Sequence, residues 1–378
     1  MASSILYRRK RNMSDSLPLA LLQQVHIRAE QTALRYKQFG IWQQRSWGEL
    51  ATDVRRLAAA LKGIGFGAQD NLFVLSEARA EALLLTLAAH WLGGRVSLLD
   101  PRVDNRAWLA VRSPEFAVVD GLESLIQLRS TSSGIVVLLD KRGLNEADAS
   151  GVIDYARWLN GAAGDAGDAG DPVQSPAVAF VFPASPSLQL GHVELLSDAR
   201  KIVRLHGFSD CDQALAARVF AASGQARYLL APWLVAGFCL NFPEAPGTRD
   251  NDRRELGPTL VLGTRESYAR LELWARERLP LPGSISHRLY LWSMAPATGP
   301  VRRWLGHWLI RRPLLDVLGM SRLTKPLLAG DVLTPQSDAF FTALGIRPVR
   351  LGEASAVSQP GEPAEHMLQT PALLSMPS

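Results

Sequence analysis

Asn71-Leu72-Phe73-Val74-Leu75-Ser76, then the apolar run Ala78 to Leu92, then Arg95-Val96-Ser97-Leu98-Leu99 set the fold class. A short apolar stretch, a helix-length stretch and a second short apolar stretch make a strand–helix–strand unit, which requires neighbouring parallel strands covered by helices. Upstream, Leu17 to Ala33 spaces leucines and Val25 for an amphipathic helix. Ala33–Tyr36 and Gln44–Trp47 flank Phe39-Gly40-Ile41-Trp42 as a short hairpin. Ser46 stands three residues before Glu49, the capping-box spacing for a helix from Trp47 to Gly63, which Gly63, Gly65 and Gly67 end. Downstream, strands are expected at Phe116–Val119 and Gly134–Leu139.

Gly161 to Asp171 is a run of Gly, Ala and Asp that offers a core nothing to bury, so it reads as a flexible linker. The expected organisation is a basic disordered leader (1–16), a first α/β subdomain (17–160), the linker (161–172), a second α/β subdomain (173–355) and a disordered tail (356–378). The second block opens on a strand, Ala177–Phe182, with a helix at Asp198–Leu205. Tyr228–Cys239, Thr259–Gly263 and Leu327–Ala329 are strand or buried-turn candidates. Helices are expected at Glu266–Arg278, Val301–Leu318 and Pro335–Leu344.

The chain has 378 residues, 47% apolar and 20% charged, an ordinary composition for an α/β protein of this length. Its net charge of +5 is misleading, because Arg8, Arg9, Lys10 and Arg11 supply four charges in a leader without acids. The body therefore carries no nucleic-acid footprint. Met13 offers an alternative start, and no apolar segment follows Arg11 as a signal peptide would require. Ala82–Leu92 is too short to cross a bilayer. Two cysteines, Cys211 and Cys239, cannot form a disulfide framework and point to reducing cytosol. No HExxH, CxxC, GxSxG or GxGxxG pattern occurs, and the histidines are scattered without metal-ligand spacing.

Three groups of segments, in the family's order, resemble the AMP-forming long-chain fatty-acid–CoA ligases of the acyl-CoA synthetase family. Phe39-Gly40-Ile41-Trp42-Gln43 with Ser46-Trp47 is similar to that group's "FGIWQ…TW". Cys239-Leu240-Asn241-Phe242-Pro243-Glu244 with Glu255-Leu256-Gly257-Pro258-Thr259 is similar to "VNFPE…EIGPT". Leu318 to Leu323, then Ala329-Gly330-Asp331 and Phe340 to Ile346, is similar to "LGLSRL…GG…FFRALGI". The resemblance implies the large N-terminal domain of the adenylate-forming fold, mostly parallel sheets layered with helices. It also implies ATP and Mg as participants if the chain is an active ligase.

The same resemblance implies a phosphate-cradling "TSGTTGxPKG" loop after the strand at 177–182. Here the aligned stretch is Ala184-Ser185-Pro186-Ser187-Leu188-Gln189-Leu190-Gly191-His192-Val193. Pro186, Gln189 and Val193 stand for the family's glycines and His192 for its lysine. Proline has no N–H, and valine resists the left-handed region. No Lys or Arg occurs from Asp171 to Ala199. The nucleotide-loop remnant is thus Ser185, Ser187, Gly191 and His192. The family's "YGxTE" reduces to Gly352-Glu353 or Ser355 with no aromatic, so Glu353 reads as a solvated residue rather than a metal ligand, and no metal site is expected. The resemblance also implies a ribose-binding aspartate and a C-terminal domain, which are expected to be missing from residues 1–378, and Trp233 and Asn241 lie closer together than their counterparts.

Trp233 and Gly330 are candidates for an acyl-pocket wall, with a core tryptophan as the plainer reading of Trp233. Val301–Arg312 sets Trp304, Leu305, Trp308 and Arg312 at helical spacing, which suits a membrane interface or packing against the domain. The leading expectation is a degenerate acyl-CoA synthetase that no longer adenylates and takes a fatty-acyl ligand or a protein partner, such as a paralogous ligase. The rivals are an active fatty-acid–CoA ligase and a peripheral membrane or scaffold protein.

Overall fold

The computed structural model describes residues 16–143, 151–161, 169–173, 178–183, 188–216, 222–280, 283–294 and 304–351. Fourteen strands are described: β1 (Thr32–Gln38), β2 (Ile41–Ser46), β3 (Asn71–Leu75), β4 (Arg95–Leu99), β5 (Phe116–Val119), β6 (Ile135–Leu138), β7 (Ile153–Asp154), β8 (Val178–Phe182), β9 (Leu188–Gly191), β10 (Gln213–Leu215), β11 (Cys239–Phe242), β12 (Leu260–Gly263), β13 (Lys325–Leu328) and β14 (Val349–Arg350). They form two seven-stranded sheets, ordered β7-β6-β5-β3-β4-β8-β9 and β14-β13-β12-β10-β11-β1-β2. In each, six parallel strands end on one antiparallel edge strand, β9 against β8 and β2 against β1. The α/β class with mostly parallel sheets is as expected.

The opening segment behaves as its chemistry dictates. β3 and β4 pair in register from Asn71↔Arg95 to Leu75↔Leu99. Their apolar side chains are buried on both faces, as a helix-covered parallel sheet requires. The helix between them, Ala80–Trp91, is buried nearly all round. Gly94 allows the return: a Cβ there would sit 2.4 Å from the Phe66 ring. Ser46 and Glu49 complete the capping box of helix Trp47–Gly63 with both reciprocal bonds.

The division at 161–172 does not separate two self-contained subdomains. β1 and β2 come from the first half of the chain yet sit in the second sheet, while β8 and β9 come from the second half and complete the first. Burying strands beside parallel partners outweighs nearness in sequence, so the halves exchange edges. Residues 162–168 lie outside the described residues. The end of that stretch is tied down: Trp91 Nε1 donates to Gly170 O at 3.0 Å and Val173 N–H to Trp91 O at 2.9 Å.

Three element boundaries differ from expectation. The first helix is Leu17–Arg28, not 17–33, because a turn closed by Gln31 N–H on Arg28 O starts β1 at Thr32. Ser16, assigned to the leader, caps this helix by accepting from Leu19 N–H. The expected strand Tyr228–Cys239 is mostly helical, with a π-turn at Ala226–Leu230 running into Ala231–Ala236 before β11. Its apolar residues are buried on all sides, so no periodicity separated helix from strand. Helix His192–His206 starts six residues before the expected Asp198. The leader 1–15 and the tail from 352 lie outside the described residues. Among the described residues no helix is long and apolar enough to cross a membrane.

Candidate functional site

The resemblance directs attention to the β8–β9 junction. Ser185 and Ser187 lie outside the described residues. Leu188 to Gly191 are not a loop: they form β9, paired with β8 from Phe182↔Leu188 to Val178↔Gly191. The ladder holds this backbone extended, and Gly191 has an ordinary φ of −84° as it leads into helix His192–His206. Backbone fixed in this way cannot curl its N–H groups around a phosphate.

His192 opens that helix and points into the core, 1% exposed. Its Nδ1 accepts the backbone N–H of Leu17 at 3.3 Å. Its ring packs edge-to-face on His90, centroids 4.9 Å apart. Burial, with a smaller contribution from His90, pushes the His192 pKa down to about 2, because an imidazolium there would lose its hydration. His192 is therefore neutral near pH 7 and faces away from solvent. His90 is likewise sunk to about 4 by burial, only partly offset by its contact with Ala179 O at 3.0 Å. These partners fix the tautomers. His192, accepting at Nδ1, carries its proton on Nε2; His90, donating from Nε2, presents Nδ1 as an acceptor. Those two remaining nitrogens, one donor and one acceptor, have no other partner among the described residues.

Trp233 is fully buried, donates from Nε1 to Ala33 O at 3.0 Å and stacks on Trp47 at 4.8 Å. It clamps its helix to β1 and helix Trp47–Gly63, in keeping with the plainer of its two readings, a core tryptophan. Gly330 follows β13 with φ +80°, and its carbonyl accepts from Arg350 Nε at 3.0 Å. Its neighbour Ala329 lies beside Gly224 and Tyr228, at the end of the second sheet. Glu353 lies outside the described residues.

Residues that sequence reasoning did not bring together form a charged cleft of about 280 Å³ between the β1–β2 hairpin and the end of β6. Phe39 and Gly40 make its two-residue turn, both with positive φ (49° and 75°). The Glu244 carboxylate accepts both of their N–H groups at 2.9 Å. Across the cleft Arg79 meets Asp140 at 3.2 Å, and Arg142 meets Asp140 at 2.6 Å and Glu244 at 4.0 Å. Burial would raise the Asp140 pKa, but Arg142 and Arg79 outweigh it and hold the carboxyl at about 2. These opposite charges pair with one another across the cleft. The one signal in the sequence was that the Phe39 and Glu244 segments are both motif segments.

Other motif residues are equally architectural. Lys37 bonds Asp252 and Glu255 at 2.8 and 2.6 Å. Lys325 bonds buried Asp212 at 2.7 Å, and Thr259 bonds the same carboxylate at 2.9 Å. Among the described residues no cluster of three or more His, Cys, Asp or Glu has an arrangement that could hold a metal.

A family model described as AMP-binding enzyme matches residues 21–149. No curated protein matches the chain. Among solved structures, the chain is similar to a luciferase-like enzyme from the mealworm Zophobas morio, at 14% identity and TM-score 0.62, covering 88% of this chain and 71% of that one. An anthranilate CoA ligase in complex with anthranoyl-AMP shares 17% identity at TM-score 0.64, with 88% and 58% covered. The didomain of a carboxylic acid reductase from Segniliparus rugosus in complex with AMP shares 14% at TM-score 0.70, with 89% and 51% covered. The chain thus spans between 51% and 71% of the lengths of these three.

Proposed function

We propose, from the premise that this chain belongs with the AMP-binding enzymes and has the adenylate-forming N-terminal fold, that it is a degenerate acyl-CoA synthetase-like protein that does not adenylate. One observation carries the reading. Where the resemblance places a lysine among glycines, the chain has a neutral histidine buried in the core behind an extended strand. Stabilising a pentavalent phosphate needs preorganised N–H donors and a cation. The described residues at this junction offer neither to solvent, so they do not fit a Mg-ATP triphosphate, and no chemical step is assigned through it.

In this reading the fold persists as a binding scaffold for a fatty-acyl group or a protein partner. Free Cys211 and Cys239 suit a reducing cytosolic setting.

The test is fatty acid- and CoA-dependent AMP release by the purified full-length chain. The expected result is a rate equal to the no-enzyme control for every acyl length tried. Turnover above control that falls in the His192→Ala variant would overturn the reading in favour of an active ligase.

A further inference from the structure

From Leu279 to Leu315 the chain holds five arginines and no Asp or Glu. The leader supplies four more positive charges of a net +5, so everything outside these two segments is net acidic. Positive charge is therefore concentrated in one region of the folded body. That region contains helix Ile285–Met294 and the helical run 304–317, which pack together.

The described residues here present apolar and basic side chains outward. On 304–317, Trp304, Leu305, Trp308, Leu309 and Arg312 follow one another at i, i+1, i+4, i+5 and i+8, which is one stripe of a helix. All five are exposed, Trp304 by 62% and Trp308 by 48%. Arg312 lies over the Trp308 ring at 4.6 Å, covering the indole face with its guanidinium. On the adjoining helix Ile285, Arg288 and Leu291 are exposed at spacings of three. Asp316, one turn beyond Arg312, is the first acid met along the chain.

Two solvent-facing tryptophans amid leucines are costly in water. Indole combines an apolar body with one N–H donor and so suits the boundary between headgroups and acyl chains. Arginines beside it gain from an anionic headgroup layer. We propose that this face docks on an anionic lipid surface, with Trp304 and Trp308 entering the interface and Arg288 and Arg312 meeting lipid headgroups. The occupant is chosen by charge: a second copy of this face would set arginines against arginines.

Vesicle co-sedimentation of the full-length chain tests it, using phosphatidylcholine with and without phosphatidylglycerol. The protein should pellet with the anionic vesicles, lose binding as salt rises and ignore the neutral ones. Trp304→Ala with Trp308→Ala should weaken binding about tenfold, and Arg288→Gln or Arg312→Gln about fivefold each. Since these residues are exposed, melting by far-UV circular dichroism should not change; if the tryptophan variant unfolds, the arginine variants decide. Absence of pelleting at low salt overturns the proposal. So does pelleting that all these variants leave intact, which would assign it to Arg8–Arg11. Tryptophan variants that abolish self-association in ultracentrifugation without touching vesicle binding would give the face to a second copy.

Discussion

Each sheet ends on a hairpin, and the two hairpins have diverged in purpose. β1–β2 closes through Phe39 and Gly40, whose N–H groups are held by the Glu244 carboxylate at 2.9 Å. β8–β9 runs into a helix whose first side chain, His192, turns inward to accept a bond from Leu17, 175 positions away. The first hairpin spends its polar groups on an open turn tied to the segment that follows β11, the neighbouring strand of its own sheet. The second uses the residue aligned with a catalytic lysine as a core contact. In the reading proposed above, converting the second hairpin to packing keeps the fold and gives up the reaction that the resemblance implies.

The largest test of that contrast is His192→Lys. An ammonium there would be buried without a counter-charge, so the variant should lose about 3–5 kcal/mol in urea unfolding and gain no nucleotide binding. A tolerated lysine that brings ATP binding would mean the residue faces a functioning loop.

Next comes pH. The folded-state pKa values of His90 and His192 are lowered to about 4 and about 2, below the unfolded value near 6.5. The folded state therefore binds fewer protons, and the stabilisation is complete above pH 6.5 and lost as pH falls below it. Together the pair should remove about 3 kcal/mol between pH 6.5 and 5, read from urea midpoints at each pH. His90→Phe with His192→Gln should flatten that slope; an unchanged slope would place the titrating groups elsewhere.

The first hairpin should respond more mildly. Glu244→Ala unbinds two turn N–H groups that water can partly satisfy, so a loss of about 1–2 kcal/mol is expected in thermal unfolding. Ser46→Ala removes the cap of the following helix and should cost about 1 kcal/mol. A Glu244→Ala loss as large as that of His192→Lys would erase the distinction between the two hairpins.

What the sequence disclosed follows the same contrast. Local signals were complete for β1–β2, for the Ser46–Glu49 capping box and for helix Pro335–Leu344, which ends at the expected residues. Signals failed where burial surrounds an element, as at 228–236, where an apolar run lacks the polar face that would reveal its period. The exchange of edge strands between the sheets was illegible, because it is decided by which buried edge needs a partner rather than by any residue near the Gly/Asp stretch. At the candidate site the substituted glycines and lysine could be read, but not their consequence. That Trp233 reaches Ala33, that His192 reaches Leu17 and that Glu244 reaches Phe39 are tertiary facts spanning 175 to 205 positions.

Calorimetric titration of the full-length chain with Mg-ATP probes the central claim most directly. A strand-locked junction with a neutral buried histidine predicts no saturable heat at millimolar nucleotide and no rise in melting temperature. A saturable isotherm with a matching thermal shift, both abolished by substitution at Ser187 or His192, would contradict it.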